Sequence, residues 1–446
     1  MNKTIGVCFL LLALTVQLQA QTIQEKLEAL LTARADEGKF NGSILVAQKG
    51  IILLEKGYGK KDVAAGTFDD VNTIYQVGSV TKQFTAAVIL YLQEHKKLSV
   101  SDKLSKYFPD FPQGDKITIE NLLTHTSGVF NYTDSALLMK ESSKPVTRDR
   151  MMAIFASKPL DFEPGTKWKY SNSAYSILGY IIEKVTGKPY EKVVHEVIFK
   201  PLGMTHSGFD FAHLQSPDKA TGYYVLSKGM QKTASVVDSS LSYAAGAIYT
   251  TVGDLYKWDR AIHNNGVISA ASWQKAFTPY KQKYGYGWVI DSLFGKKIIT
   301  HGGGIDGFNS NITRIPEEDA VIIMINNVNT PFLEPVNRDI IAALLGKPYN
   351  LPKDRKAVSV PESILQSYTG VYELTPTFKI TVTIENGSLK AQATGQSEFD
   401  LFAETNERFF LKVVDAQITF VKDNDGKVTG LVLHQNGNDM PAKKVE

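Results

Sequence analysis

The spacing of apolar and polar positions divides the chain into stretches of different period. Residues Gln24 to Glu37 repeat at helical spacing and predict an amphipathic helix. Ser43 to Gln48 and Ile51 to Glu55 are β-rich runs joined by Lys49-Gly50, the pattern of a hairpin. After Ser79 the apolar residues Val80, Phe84, Ala87, Val88, Tyr91 and Leu92 keep a 3.6 period, so a helix with one buried face is expected to about Lys96. A helical, loop-rich middle follows, with a helix from Ser173 to Thr186 closed by Gly187. Strands return at Lys297 to Thr300, Phe308 to Ile315 and Ala320 to Asn326, and a helix is expected from Pro331 to Leu345. Strands near both ends with helices between them predict an α+β domain. Its antiparallel sheet would be flanked by helices and interrupted by a helical insertion.

Residues 347–361 carry three prolines and several charges and read as a linker. Beyond them come short alternating runs: Tyr368 to Tyr372, Phe378 to Ile384, Ser388 to Ala393, Phe399 to Ala403, Arg408 to Val413, Ile418 to Val421 and Thr429 to His434. Asn386-Gly387 and Asp425-Gly426 mark turns between them. Residues 362–446 are therefore expected to form a small all-β barrel or sandwich.

The first twenty residues read as a cleaved signal peptide. Lys3 gives a positive start, Val7 to Leu14 an apolar run too short to span a bilayer, and Leu18-Gln19-Ala20 a small residue at the cut. The domain expected to follow covers residues 21–346. Cys8, the sole cysteine, lies inside this leader, so the mature chain has no thiol for a disulfide, a nucleophile or a metal. No other segment is long and apolar enough for a membrane span. These features predict a secreted or periplasmic protein. The formal charge of +3 is too balanced for a nucleic-acid binder. The histidines show no metal-ligand spacing, and there is no Gly-x-Ser-x-Gly nucleophile elbow.

Candidate chemistry begins at Ser79 and Lys82, which a helix would place on one face. A serine in a first helical turn sits among unpaired N–H groups that can hold an oxyanion, and a lysine buried beside it loses solvation and becomes a base. A polar helix start would give the same spacing, and Ser-x-x-Lys also occurs at Ser216/Lys219 and Ser272/Lys275. Only Ser79 lies between a β-like run and a long apolar helix. In Tyr170-Ser171-Asn172 the phenol can relay a proton and the amide can grip a substrate amide. The same residues also suit a helix cap. His301-Gly302-Gly303-Gly304 is expected to end a strand, where the backbone N–H of Gly304 could join that of Ser79 in an oxyanion hole; a plain glycine-rich turn is the other reading. His125 reads as a structural buttress. Tyr284, Tyr286 and Trp288 suit either a cleft wall or the core.

Ser79-Val80-Thr81-Lys82, Tyr170-Ser171-Asn172 and His301-Gly302-Gly303, in this order, resemble the motifs of the serine β-lactamase and penicillin-binding-protein superfamily. The pattern is most similar to the branch of class C β-lactamases, D-aminopeptidases, D,D-carboxypeptidases and esterases. Leu122 to Gly128, Pro201 to Met204, Ala245 to Thr251 and Tyr284 to Trp288 support the resemblance, which covers roughly residues 25 to 345. It implies that Ser79 becomes acylated, that Lys82 takes its proton with Tyr170 sharing the acid–base work, and that Asn172 holds the substrate amide. The N–H groups of Ser79 and Gly304 would hold the oxyanion, with His301 and Gly303 on the same substrate-binding strand. No metal or organic cofactor is implied. One departure stands out: His301 occupies a position where class C β-lactamases typically carry lysine, so attraction for a substrate carboxylate should be weaker. The expectation is an exported serine hydrolase cutting amide or ester bonds in D-amino-acid peptides or similar small acyl compounds, with β-lactam hydrolysis at most weak. The alternative is a non-catalytic penicillin-binding or sensor protein. Its partner would be a small molecule or short peptide.

Overall fold

The computed structural model describes residues 22–446 apart from 228, 350–356, 386, 397, 412–415 and 436–437. The expected leader, residues 1–20, and the middle of the expected linker lie outside the described residues. The chain divides into two compact units after Tyr349.

The first unit is built on a six-stranded antiparallel sheet. Its strand order is Ile51–Tyr58, Gly42–Gln48, Ala320–Asn326, Phe308–Ile315, Lys296–Ile305, Val289–Leu293. The hairpin turn expected at Lys49-Gly50 is present, with φ of 53° and 75° at its two residues. Gly42–Gln48 is the strand that joins the two ends of the unit. It pairs with its sequence neighbour on one side and with Ala320–Asn326 on the other, Leu45 opposite Ile323.

Both faces of this central pair are covered, so its middle residues, Ile44 to Ala47 and Ala320 to Ile325, are all apolar. Ile44 and Val46 point to a layer made by the helices 22–36 and Leu333–Leu344, where they meet Leu27, Leu31, Val336 and Ile340. Leu45 and Ala47 point the opposite way, into the helical insertion with Phe84, Val88 and Trp258. The period of two thus assigns successive residues to different cores. Each such aliphatic side chain, fully buried, contributes about 1.5–3 kcal/mol.

Helix Thr81–Glu94 runs through the larger of these cores. Phe84 stacks on Trp258 at 4.6 Å, and the Trp258 indole N–H donates to Gln83 Oε1 at 3.1 Å. These contacts fix the rotation of the helix, and with it the direction of Lys82.

The second unit is the expected all-β module, a closed antiparallel barrel of eight strands among the described residues. Three details differ from the sequence expectation. The run beginning at Tyr368 is the end of a short helix, Glu362–Tyr368, and the strand starts at Gly370. The strand at Arg408 spans Arg408–Phe410, and residues 412 and 413 of the expected run lie outside the described residues. An eighth strand, Asn438–Lys444, completes the barrel. Pro441 and four charged or amide side chains hide its alternation, and Ala442 is its one fully buried residue. Among the described residues no helix is long and apolar enough to cross a membrane.

Candidate active site

Ser79 lies in a single 3-10 turn, Gly78–Val80, between the short strand Tyr75–Gln76 and helix Thr81–Glu94. The turn is pinned on both sides. Tyr75–Gln76 pairs with Tyr249–Thr250, and the Val77 N–H donates to Ile248 O at 3.0 Å. Opposite, the Ser310 hydroxyl donates to Val77 O at 2.7 Å. Gly78 has φ of 49°, and a Cβ there would come within 2.8 Å of the Gly304 backbone. Glycine is required by both conformation and space.

Lys82 is fully buried one turn on, with Nζ 2.9 Å from Ser79 Oγ. Its amine also donates to Asn172 Oδ1 and to the carbonyl of Ala245, each at 2.8 Å. That carbonyl is aimed by its neighbours. The Thr81 hydroxyl accepts from Ile248 N–H at 3.1 Å, and Thr85 donates to Ala244 O at 2.7 Å. Just before them the chain reverses at Tyr243, with φ 38° and ψ −134°, a conformation rare outside glycine. Burial pushes the Lys82 amine well below its ordinary pKa of 10.5. The faces of Tyr170 and Tyr175 lie 4.8 and 5.5 Å from the amine. In the neutral amine the two N–H groups go to the carbonyls of Asn172 and Ala245. The lone pair is left for the Ser79 proton.

Tyr170 is brought to the same oxygen from another element, its hydroxyl donating to Ser79 Oγ at 2.8 Å. Burial pushes this phenol above its ordinary value of 10, against the opposing pull of the Ser79 hydrogen bond. It is therefore a proton donor at neutral pH. Ser171 caps helix Asn172–Thr186, accepting from Ala174 N–H at 3.2 Å. Capping and site-building coincide in this tripeptide. Asn172 turns its amide nitrogen toward Thr133 Oγ1 at 3.3 Å. His125 lies beneath, its ring centroid 4.3 Å from that of Tyr170, and accepts from Ser171 N–H at 3.2 Å. Burial holds it neutral, and it touches none of the Ser79 atoms through a hydrogen bond among the described residues.

The His301 strand differs from expectation in two ways. The glycines do not end it; the strand runs on to Ile305, paired with Phe308–Ile315 throughout. Its outer neighbour Val289–Leu293 stops at Thr300, so from His301 onward the outer edge has no strand partner among the described residues. This edge can accept the backbone of an extended ligand. The His301 ring itself is buried away from the cleft. Its Nδ1 lies 2.6 Å from Gly302 O and its Nε2 2.9 Å from the Tyr284 hydroxyl. These partners set an Nδ1–H tautomer that accepts from the phenol. Burial, with Lys82 adding to it, lowers its pKa to about 3. The imidazole therefore offers a ligand neither charge nor a free nitrogen.

Gly303 meets the serine turn at the closest point. A Cβ there would lie 2.0 Å from Val77 O, whereas at Gly302 the nearest atom is 3.7 Å away. Gly303→Ala should push the strand off the turn. We expect at least a tenfold loss of ester hydrolysis and about 1–3 kcal/mol of destabilisation, while Gly302→Ala leaves both nearly unchanged. Equal effects of the two variants in melting and hydrolysis assays would contradict this close-approach account.

A cleft of about 300 Å³ opens in front of Ser79, lined among others by Thr133, Asn172, Leu241, Gly304 and Asp306. A hollow of about 360 Å³ near Phe108 and Arg148 contains none of the groups gathered around Ser79. Tyr284, Tyr286 and Trp288 are buried and do not line the cleft: Tyr284 meets His301, Tyr286 meets Glu120, and Trp288 packs on Phe277. Three contributors escaped the sequence analysis. The Ala245 carbonyl has no side-chain signature. Thr133 lies in a single 3-10 turn, Tyr132–Asp134, too short to show a period. Asp306, two residues past the glycine run, had a positional signal, since a side chain there follows the exposed edge into the cleft.

The sequence profile of the Beta-lactamase family matches residues 22–346, and the chain belongs to that family, whose members are generally serine hydrolases. Residues 354–444 match a domain of unknown function, DUF3471. Penicillin-binding protein 4* of Bacillus subtilis (strain 168) is 29% identical over 96% of this chain and all of its own length. The PbpX protein of the same organism is 34% identical, over 68% of this chain and 75% of PbpX. Among solved structures, the octameric penicillin-binding protein homologue from Pyrococcus abyssi is 26% identical, covers 94% of this chain and 99% of its own, and superimposes with a TM-score of 0.67.

Proposed function

We propose that the protein is a hydrolase that works through an acyl-enzyme on Ser79. The observation that carries this reading is the convergence on one oxygen: Ser79 Oγ lies 2.9 Å from a buried amine and 2.8 Å from a buried phenol. A substrate carbonyl would rest with its oxygen toward the backbone N–H groups of Ser79 and Gly304. Lys82 takes the Ser79 proton as Oγ attacks, and the resulting oxyanion is held by those two donors. Tyr170 gives its proton to the leaving amine or alcohol and is reprotonated from Lys82. Water then attacks the acyl carbon, loses a proton to the same pair, and the pair returns that proton to Ser79 Oγ as the acid leaves. Asn172 orients the acyl side through its amide nitrogen while its oxygen holds Lys82.

The cleft also selects. Its lining includes Asp306, whose carboxylate accepts from the Tyr224 hydroxyl at 2.9 Å, and no lysine or arginine lines it among the described residues. We therefore read the substrates as amides or esters of amino acids with a free ammonium group, D-configured as the motif resemblance suggests. Penicillins, which carry a carboxylate, should be poor substrates. The leader sequence supports action outside the cytoplasm.

The test is a panel of D- and L-amino-acid amides and esters, N-acetylated counterparts and a penicillin, with mass spectrometry of Ser79. We expect turnover of the free-amine compounds. In Asp306→Asn their kcat/KM should fall about tenfold, with N-acetylated esters unaffected, the size of one charge-assisted contact. A stable adduct on Ser79 without product release would replace the hydrolase with a sensor. Adducts on any other residue would remove Ser79 from its role.

A further inference from the structure

The barrel of the second unit is filled unequally along its axis. Helix Glu362–Tyr368 sits where the first barrel strand, Gly370–Thr375, begins, and four rings occupy that end. Tyr368 stacks on Phe420 at 4.0 Å and 8° between planes, with Phe409 and Tyr372 at 5.5 and 5.7 Å from Phe420. The Tyr368 hydroxyl donates to Asn406 O and that of Tyr372 to Tyr368 O, so both polar tips are satisfied. This end is a plug.

The opposite end is a cup. Inward positions there fall two apart on each strand, which places Ala391 with Ala393, and Ala416 with Ile418, on the inner wall. The alanines leave a cavity of about 100 Å³, walled also by Phe378, Phe399 and Leu433, with Gln435 and the exposed Gln396 as its polar lining residues among those described. Among the described residues no charged side chain lines it. Small closed barrels of eight strands are either filled by side chains or hold one small ligand. This one is filled at one end and hollow at the other.

We propose that the cup is a binding site for a small uncharged amphiphile, which inserts an unbranched alkyl chain between the alanines and leaves a hydroxyl or amide head at Gln435. An apolar cavity of about 150 Å³ stays dry and takes up benzene. At about 100 Å³ the cup is smaller, which favours a slim linear chain over a ring. An apolar wall without a charged partner disfavours ionic heads, because a buried unpaired charge is costly. The site is separate from Ser79 chemistry and does not depend on it.

The test uses the full mature chain labelled at alanine methyls and titrated with 1-butanol through 1-octanol, read by NMR. Saturable shifts are expected at Ala391, Ala393 and Ala416. Affinity should rise about fourfold per added methylene until the cup is full, the value of one buried CH₂. Ala416→Leu and, independently, Ala391→Leu fill the cup and should abolish saturation while leaving ester hydrolysis intact. Unsaturable shifts in the wild type, saturation that survives in a folded cup-filling variant, or equal binding of hexanoate and 1-hexanol would each overturn the proposal.

Discussion

Ser79→Ala is expected to lower kcat/KM by about 10⁴- to 10⁶-fold, because the nucleophile and its proton acceptor act as one unit. The fold should hardly notice. The serine hydroxyl lines the cleft, and its removal leaves Lys82 bonded to Asn172 and Ala245 and leaves the partly exposed Tyr170 hydroxyl to solvent. The result to look for is an unchanged melting temperature together with complete loss of labelling by a serine-reactive probe. If the variant still became labelled at the wild-type rate, the acyl group would have to rest on another atom.

Lys82→Met should reduce turnover almost as far as Ser79→Ala, and the double variant should be little worse than either alone. Methionine keeps the length and burial of the side chain and removes its basicity. The same lysine predicts the acid limb of the pH profile. Its amine must be neutral to accept the serine proton, so kcat/KM falls as pH drops through its lowered pKa. Stability carries a matching signature. Folding strips a proton from a lysine that holds it when unfolded up to an ordinary value of 10.5, so the unfolded state binds more protons. Stability then rises with pH between the lowered pKa and that value. Wild type should gain on Lys82→Met as pH climbs from neutral toward 10. A stability difference that stays flat over that range would mean that the amine remains charged in the folded protein.

The sequence was informative wherever a side chain announced its own role. The Ser79–Lys82 spacing stood out because a β-like run preceded it and an apolar helix followed, and those neighbours set the turn and the buried face in the structure. The centre of the sheet was legible because Ile44, Leu45, Val46 and Ala47 form an unbroken buried apolar run. Contacts made by backbone atoms were hidden. Nothing in a row of letters marks the Ala245 carbonyl as a lysine acceptor, or the Tyr243 reversal that aims it. His301 misled for a related reason. Its residue type suggested a hand extended to the ligand, but Tyr284, seventeen positions earlier, turns it into the interior. The helix ending at Tyr368 is too short for a period to emerge, with only Leu365 and Tyr368 buried.

The central strand pair has a consequence for how the molecule comes into being. Residue 42 is made early and its partner near 326 late, so the two can meet only when most of the first unit exists. Closing so long a loop is slow relative to local folding. The glycine strand that would complete the oxyanion site lies one strand beyond that late partner, across Phe308–Ile315. A growing chain therefore carries its serine and lysine for most of synthesis without a finished catalyst, and reactivity arrives in one step with the last strands of the sheet.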